Sequence, residues 1–178
     1  LKNYSYTHLF IDNSSTDGSI EKLKEISLVN SNISAIVNSR NFGYIRSSFY
    51  GLIALDSDAT ILISCDFQEP PELIPKFIHE WENGNLVVGG IKTQSDESFF
   101  KRFLRTFYYK TVNKFSDVEL IDHFFDFALY DRDVIKKLRE VEDSKPYLRG
   151  LICELGYEIK EVEFKQQKRK RGNTKQNW

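Results

Sequence analysis

Two short apolar runs that each end in aspartate and lead into a helical pattern constrain this chain most. Residues 7–12 (THLFID) close on Asp12, and residues 60–66 (TILISCD) close on Asp66. The first run leads to a helix over 19–29, with Ile20, Leu23 and Ile26 on one side. The second leads to an amphipathic helix over 72–83, where Leu73, Ile74, Phe77, Ile78 and Trp81 keep one face apolar. Pro70 and Pro71 stand where a helix begins, because a first-turn residue needs no N–H. Further strands are expected at 35–38, 86–88, 128–130 and 158–166, with Gly89–Gly90 closing the second of these. Further helices are expected at 45–55, 98–115, 133–140 and 146–155. This alternation predicts an α/β fold with a mainly parallel sheet flanked by helices. Such sheets bind ligands outside the carboxyl ends of their strands, where Asp12 and Asp66 stand.

At 178 residues, without internal repeat or linker, the chain reads as one domain over 1–178. It opens on Leu1 almost directly in a strand and closes on Trp178 after a basic tail. It therefore reads as truncated at both ends. Charge is unevenly spread: residues 1–164 hold all 26 acidic residues, whereas the tail from Lys165 holds six basic and no acidic ones. A tail of that kind seeks phosphate, in a nucleotide, a lipid headgroup or a nucleic acid. Cys65 and Cys153 lack metal-ligand or redox spacing, and read as buried, reduced thiols in a reducing compartment. No apolar run approaches the ~18 residues of a membrane-spanning helix.

Six segments hold residues suited to chemistry. In 11–19, Asp12 can accept hydrogen bonds from a ribose or a base N–H, and Ser15, Thr16 and Asp17 can cap the next helix. A well-capped loop without a ligand is the equal alternative. In 39–46, Arg40 can fork onto a diphosphate, or simply be a surface arginine in a turn. In 64–72, a carboxylate ending a buried strand needs compensation. Mg²⁺ or Mn²⁺ would supply it, since these ions share oxygen ligands with substrate phosphates. Asp66 and Gln68 offer oxygens two residues apart. Residues 99–115 interleave seven aromatic rings with Lys101, Arg102, Arg105, Lys110 and Lys114, which suits a membrane interface, with core packing claiming part of the rings. In 125–132, Asp126 precedes a strand, and Asp131 and Arg132 suit a helix cap. In 169–175, Arg169 and Lys175 flank a Gly turn able to close over phosphate. An acidic body beside that tail argues against nucleic acid.

In order, these segments resemble the family 2 glycosyltransferases of the polyprenyl-phosphate type, the relatives of dolichyl-phosphate mannose synthase. IDNSSTDGS (11–19) resembles the family's Val-Asp-Asp-Gly-Ser-Thr-Asp segment, and NSRNFGYIRSSFYGL (38–52) its Arg-Asn-Phe-Gly helix entry. DFQEPPELIPKFIHEW (66–81) resembles Asp-Ala-Asp-Leu-Gln-Asp-Pro-Pro-Glu and its helix. DFALYDRDVI (126–135), PYLRGLICELGY (146–157) and RKRGNTK (169–175) are similar to three further blocks.

The resemblance implies a GT-A type nucleotide-diphospho-sugar transferase fold whose first strand, with its Pro-x-Tyr-Asn-Glu segment, is missing here. It implies transfer of a hexose from a UDP- or GDP-sugar to a polyprenyl phosphate, metal-dependent and inverting. Asp12, Asn13, Ser15, Asp17, Arg40 and Asp66 would then serve the donor, and Asp66 and Gln68 the Mg²⁺ or Mn²⁺ ion. Lys92, Arg105, Arg169 and Lys175 would serve acceptor or phosphate, and Asp126 would be catalytic. The chain departs from the family at Ser64, where the first metal-site Asp is usual, and at Asn13, where a second Asp is usual. Implied partners are the nucleotide sugar, the lipid phosphate, the cytoplasmic face of a membrane and a possible second copy of the chain, with no nucleic acid. Transfer to a glycan hydroxyl and an inactive nucleotide-sugar binder are the competing readings.

Overall fold

The computed structural model describes residues 4–94 and 124–167. The elements are β1 (His8–Asp12), α1 (Ser19–Val29), β2 (Ile33–Val37), α2 (Tyr44–Ala54), β3 (Ala59–Leu62), a 3₁₀ turn (Pro71–Leu73) and α3 (Ile74–Glu82). They continue with β4 (Val87–Gln94), β5 (Phe124–Asp131), α4 (Arg132–Arg139), α5 (Leu148–Glu154) and β6 (Ile159–Lys165). Strands β1 and β2 form a parallel pair. The larger sheet has the order β3-β5-β4-β6. In it β3, β4 and β6 run one way, and β5 alone opposes them. This is the α/β, GT-A-type arrangement the sequence led to.

Apolar side chains alternate along β5 and so feed two cores. Ala128 and Tyr130 face Phe49 and Leu52 of α2, Val134 and Leu138 of α4, and Leu148 and Ile152 of α5. Phe127 and Leu129 face Phe77 and Ile78 of α3 together with Val162 and Phe164 of β6. The Phe127 ring lies 4.7 Å from Phe77 and edge-on to Phe164 at 5.7 Å. Such pairs each add ~0.5–1.5 kcal/mol beyond area burial. Helix α2 also packs on β1: a Cβ on Gly51 would lie 2.5 Å from Ile11 Cγ1. Only glycine lets the helix approach so closely. Helix α2 thus touches both β1 and β3 and ties the small sheet to the large one.

Five sequence expectations change. Strand β3 stops at Leu62, not Asp66, because its ladder with β5 ends at Leu62↔Ala128. Asp66 therefore sits in a loop, and Cys65 there is exposed while Cys153 is half-buried, rather than both being buried. Strand β4 runs through Gly89–Gly90 instead of ending there. A Cβ on Gly90 would meet Phe127 O at 3.0 Å, so the strand needs glycine to pass β5. Strand β5 begins at Phe124, which puts Asp126 inside a strand rather than before it. The helix expected over 72–83 begins as a 3₁₀ turn, and α3 proper starts at Ile74 with a proline in its first turn. The helix expected over 98–115, with Arg105, and the tail segment with Arg169 and Lys175 lie outside the described residues. Among the described residues no helix is long and apolar enough to cross a membrane.

Candidate active site at the N-terminal end of helix α2

Two loops converge on the start of α2. The first follows β1. Asp12 is 7% exposed, and its Oδ1 accepts from the Ser15 N–H at 2.8 Å. The loop thus folds back on the carboxylate, and Ser15 serves Asp12 rather than capping α1. Gly18 is the N-cap of α1 and no side chain caps the helix, while Asp17 Oδ1 accepts from the Ser19 N–H at 3.2 Å and from Ser19 Oγ at 2.6 Å just before it. Asn13 reaches the other way. Its Oδ1 accepts from the Phe42 N–H at 2.9 Å and from Asn38 Nδ2 at 3.2 Å, and its Nδ2 donates to Asn41 Oδ1 at 2.9 Å. Asn38 also donates to Ser47 Oγ in the first turn of α2, at 3.0 Å. Asn13 is therefore spent on joining loops. Arg40 is exposed, with its guanidinium 4.1 Å from the Phe42 ring centroid.

The second loop, 63–70, follows β3. Asp66 Oδ1 accepts from the Gln68 N–H at 3.1 Å, which holds a turn with Phe67 in the left-handed region. The Gln68 carbonyl accepts from the Gln167 N–H at 3.0 Å, anchoring the loop to the end of β6. Glu69 is the buried carboxylate here, and its Oε2 accepts from the Ser64 N–H at 2.7 Å. Burial pushes its pKa up to about 7, the charges of Asp66 and Asp126 add to the rise, and the bonds from Ser64 oppose it. Tyr44, at the start of α2, is 40% exposed as a residue, but desolvation of its hydroxyl end and the charges of Asp126 and Glu69 raise the phenol above its ordinary range, with the Ser64 and Ser48 hydroxyls opposing.

Asp126 arrives from β5. The β5 ladder with β4 is irregular between Gly89 and Ile91, opposite the stretch holding Asp126. Irregularities of this kind re-aim a side chain. Extending the β3–β5 register two residues past Leu62↔Ala128 sets Ser64 opposite Asp126. Asp126 thus stands beyond the carboxyl end of β3, beside the second loop. Arg149, in the first turn of α5, faces it with Nε 3.7 Å from Oδ1. Asp126, Arg149 and Tyr147 line a cavity of about 20 Å³ with Ser48 and Leu148.

Of the expected residues, Asp12, Asn13, Ser15, Asp17 and Arg40 gather on the first loop and its partner. Asp66 and Gln68 share the second loop, with Asp126 at its side. Lys92 is half-buried in β4, opposite Phe164, on the strand next to β5. Sequence reasoning passed over Glu69, Tyr44 and Arg149. Glu69 lies inside the quoted 66–81 block, and its burial depends on how the loop folds. Arg149 lies inside the 146–157 block.

Among the described residues no three His, Cys, Asp or Glu side chains converge to hold a metal. Mg²⁺, however, commonly takes one or two carboxylates plus substrate phosphates. Asp66 and Gln68, joined in one turn, offer a carboxylate and an amide oxygen, a donor set compatible with that use.

The chain matches the model of the glycosyl transferase family 2 over residues 2–139. It is 33% identical over 172 residues to the uncharacterized glycosyltransferase YkcC of Bacillus subtilis (strain 168), covering 96% of this chain and 53% of that protein. It is 29% identical over 178 residues to the prophage bactoprenol glucosyl transferase homolog of Escherichia coli (strain K12), and 28% identical over 178 residues to the bactoprenol glucosyl transferase of Shigella phage SfX. Each of these two matches covers 99% of this chain and 58% of the relative. The chain spans little more than half the length of these curated relatives. With the family matched over most of its residues, the chain belongs to glycosyl transferase family 2.

Proposed function

We propose that this chain carries the donor half of a transferase that moves a hexose from a UDP- or GDP-sugar to a polyprenyl phosphate, with inversion, at the cytoplasmic face of a membrane. One observation carries the reading. Asp126 meets Arg149 beside Asp66 and Glu69, in a chain that aligns over 99% of its length with a protein named bactoprenol glucosyl transferase.

On this reading the first loop binds the nucleoside. Asp12 offers its carboxylate, and Asn13 fixes the loop's shape. Arg40 and Lys92 are set to meet donor or acceptor phosphate. When bound, a Mg²⁺ or Mn²⁺ ion held by Asp66 and Gln68 would neutralise charge growing on the leaving diphosphate. A phosphate acceptor is already anionic at neutral pH, so it needs no strong base, and Asp126 then serves to position Arg149.

Transfer to a glycan hydroxyl is the second reading. It would need a general base, with Asp126 the candidate.

Product analysis with labelled UDP-glucose and GDP-mannose, offered polyprenyl phosphate or free glycan, separates the two. Labelled lipid supports the proposal. Labelled glycan supports the second reading, and nucleotide binding without either product refutes both.

A further inference from the structure

The cavity beside Asp126 is small enough to select its occupant. At about 20 Å³ it has room for one water, and so for one hydroxyl but not for a phosphate. Asp126 and Arg149 both line it, with Oδ1 and Nε 3.7 Å apart, beyond good hydrogen-bond length. A carboxylate that accepts and a guanidinium that donates, side by side, match both halves of a hydroxyl. Arg149 makes further contacts and can keep them, because a guanidinium has five N–H donors and a hydroxyl calls on one.

Around this polar recess the lining turns apolar and exposed. Tyr147 and Ile45 line the same cavity and are 40% and 54% exposed. Exposed apolar groups gathered at a recess, rather than scattered singly, mark a binding surface. The Tyr147 ring is placed there by its neighbours. Pro146 and Leu148, on either side, are buried and anchor the chain. A Cβ on Gly150 would lie 2.8 Å from Tyr147 Cδ1, so glycine lets the ring lie back against the first turn of α5. The Arg149 guanidinium stands 5.3 Å from the ring centroid.

A hydroxyl-sized polar recess beside an exposed aromatic ring suits a pyranose. Such a sugar offers hydroxyls that both donate and accept, and C–H groups that pack on the electron-rich face of an aromatic. We infer that Asp126, Arg149 and Tyr147 form a hexose subsite, with one sugar hydroxyl seated between Asp126 and Arg149 and the sugar ring against Tyr147. The hexose is the donor's, because Asp126 lies beside the loop of Asp66 and Gln68, close enough for its charge to act on Glu69. A sugar lacking that hydroxyl leaves a carboxylate and a guanidinium unmatched, so the subsite selects among hexoses. The inference rests on the proposed use of a nucleotide-sugar donor.

Calorimetric titration tests it, with UDP set against UDP-glucose, GDP against GDP-mannose, each with Mg²⁺, and farnesyl phosphate in detergent in a further arm. Tyr147→Ala should weaken the nucleotide sugar roughly fivefold and leave the bare nucleotide unchanged, since only the sugar meets the ring. Tyr147→Phe keeps the ring and should bind as the wild type does. Among donor analogues lacking one sugar hydroxyl each, one should bind the wild type roughly tenfold more weakly than its parent, the usual effect of losing a hydrogen bond to a charged group. In Asp126→Ala that analogue and its parent should bind alike. Equal losses for nucleotide and nucleotide sugar in Tyr147→Ala, or no loss for either, overturn the subsite. So does an analogue series that Asp126→Ala leaves unaltered. A loss for farnesyl phosphate in place of the nucleotide sugar assigns the ring to the lipid and also overturns it. If the wild-type protein binds neither nucleotide nor nucleotide sugar, the transferase reading falls with it. If it transfers hexose to lipid while Tyr147→Ala binds the donor normally, the subsite alone falls.

Discussion

The side chain of Asn13 donates to Asn41 Oδ1 at 2.9 Å, across the gap between the loop after β1 and the loop that opens α2. Its own Oδ1 accepts from Phe42 and Asn38. A residue expected to touch a nucleoside is here the bracket that shapes the pocket wall. Replacing it removes three hydrogen bonds and leaves the Phe42 N–H unmatched. Asn13→Ala should therefore lower unfolding free energy by ~1–3 kcal/mol, read from urea denaturation. Asn13→Asp keeps the acceptor oxygen and should lose less. Equal losses would show that the acceptor role of Oδ1 is unimportant.

Glu69 gives a pH prediction. Its folded pKa, about 7, lies above the ordinary carboxylate value of 4.5, so the folded state binds this proton more tightly than the unfolded one. Its contribution to stability is most favourable below pH 4.5 and is lost as pH rises through 7. Glu69→Gln keeps an acceptor for the Ser64 N–H without the charge. The variant should gain stability over wild type as pH rises from 4.5 to 7, by ~1–3 kcal/mol at pH 8. Denaturation at pH 5 and pH 8 checks this, and a constant difference would contradict it.

Gly90 tests the crossing of β4 and β5. An added methyl would meet Phe127 O at 3.0 Å and the Phe127 and Phe164 rings at 3.1 Å. Backbone oxygen cannot step aside as a side chain can. Gly90→Ala should destabilise by ~1–3 kcal/mol, measured by thermal or urea unfolding, with Lys92 displaced along with the strand.

Asp66 tests the cation. In the presence of Mg²⁺ or Mn²⁺, Asp66→Ala should bind UDP roughly tenfold or more weakly, as loss of a charged ligand to a shared ion would require. With EDTA the variant and the wild type should bind alike. A loss of the same size with and without metal would assign Asp66 to direct nucleotide contact.

The expected element order was legible because burial imposes periodicity. Phe77, Ile78 and Trp81 mark α3 in sequence and structure alike, and the helix expected over 133–140 is α4, which buries Val134, Ile135 and Leu138. The cap at Asp131 was legible too, since its Oδ1 accepts from the Asp133 N–H at 2.8 Å. Strand ends were not, because they depend on the partner strand. β3 stops where its ladder with β5 ends, at Leu62↔Ala128, and β4 continues because Gly90 lets Phe127 lie close. For the site, local motifs pointed to Asp12, Asp66 and Asp126, whose loops and strand ends can be read one segment at a time. Tyr44 and Arg149 matter through contacts between segments far apart in sequence, and Glu69 through how its own loop folds back on Ser64, and no local pattern announces either.

The most direct test of the central claim is radiolabel transfer from UDP-glucose or GDP-mannose to polyprenyl phosphate, with Mg²⁺ or Mn²⁺ present and then chelated. The account predicts labelled lipid that disappears with EDTA and falls at least tenfold in Asp66→Ala and in Arg149→Ala, as the loss of a charged contact requires. Nucleotide release with no labelled lipid, or transfer indifferent to both metal and Asp66, would contradict it.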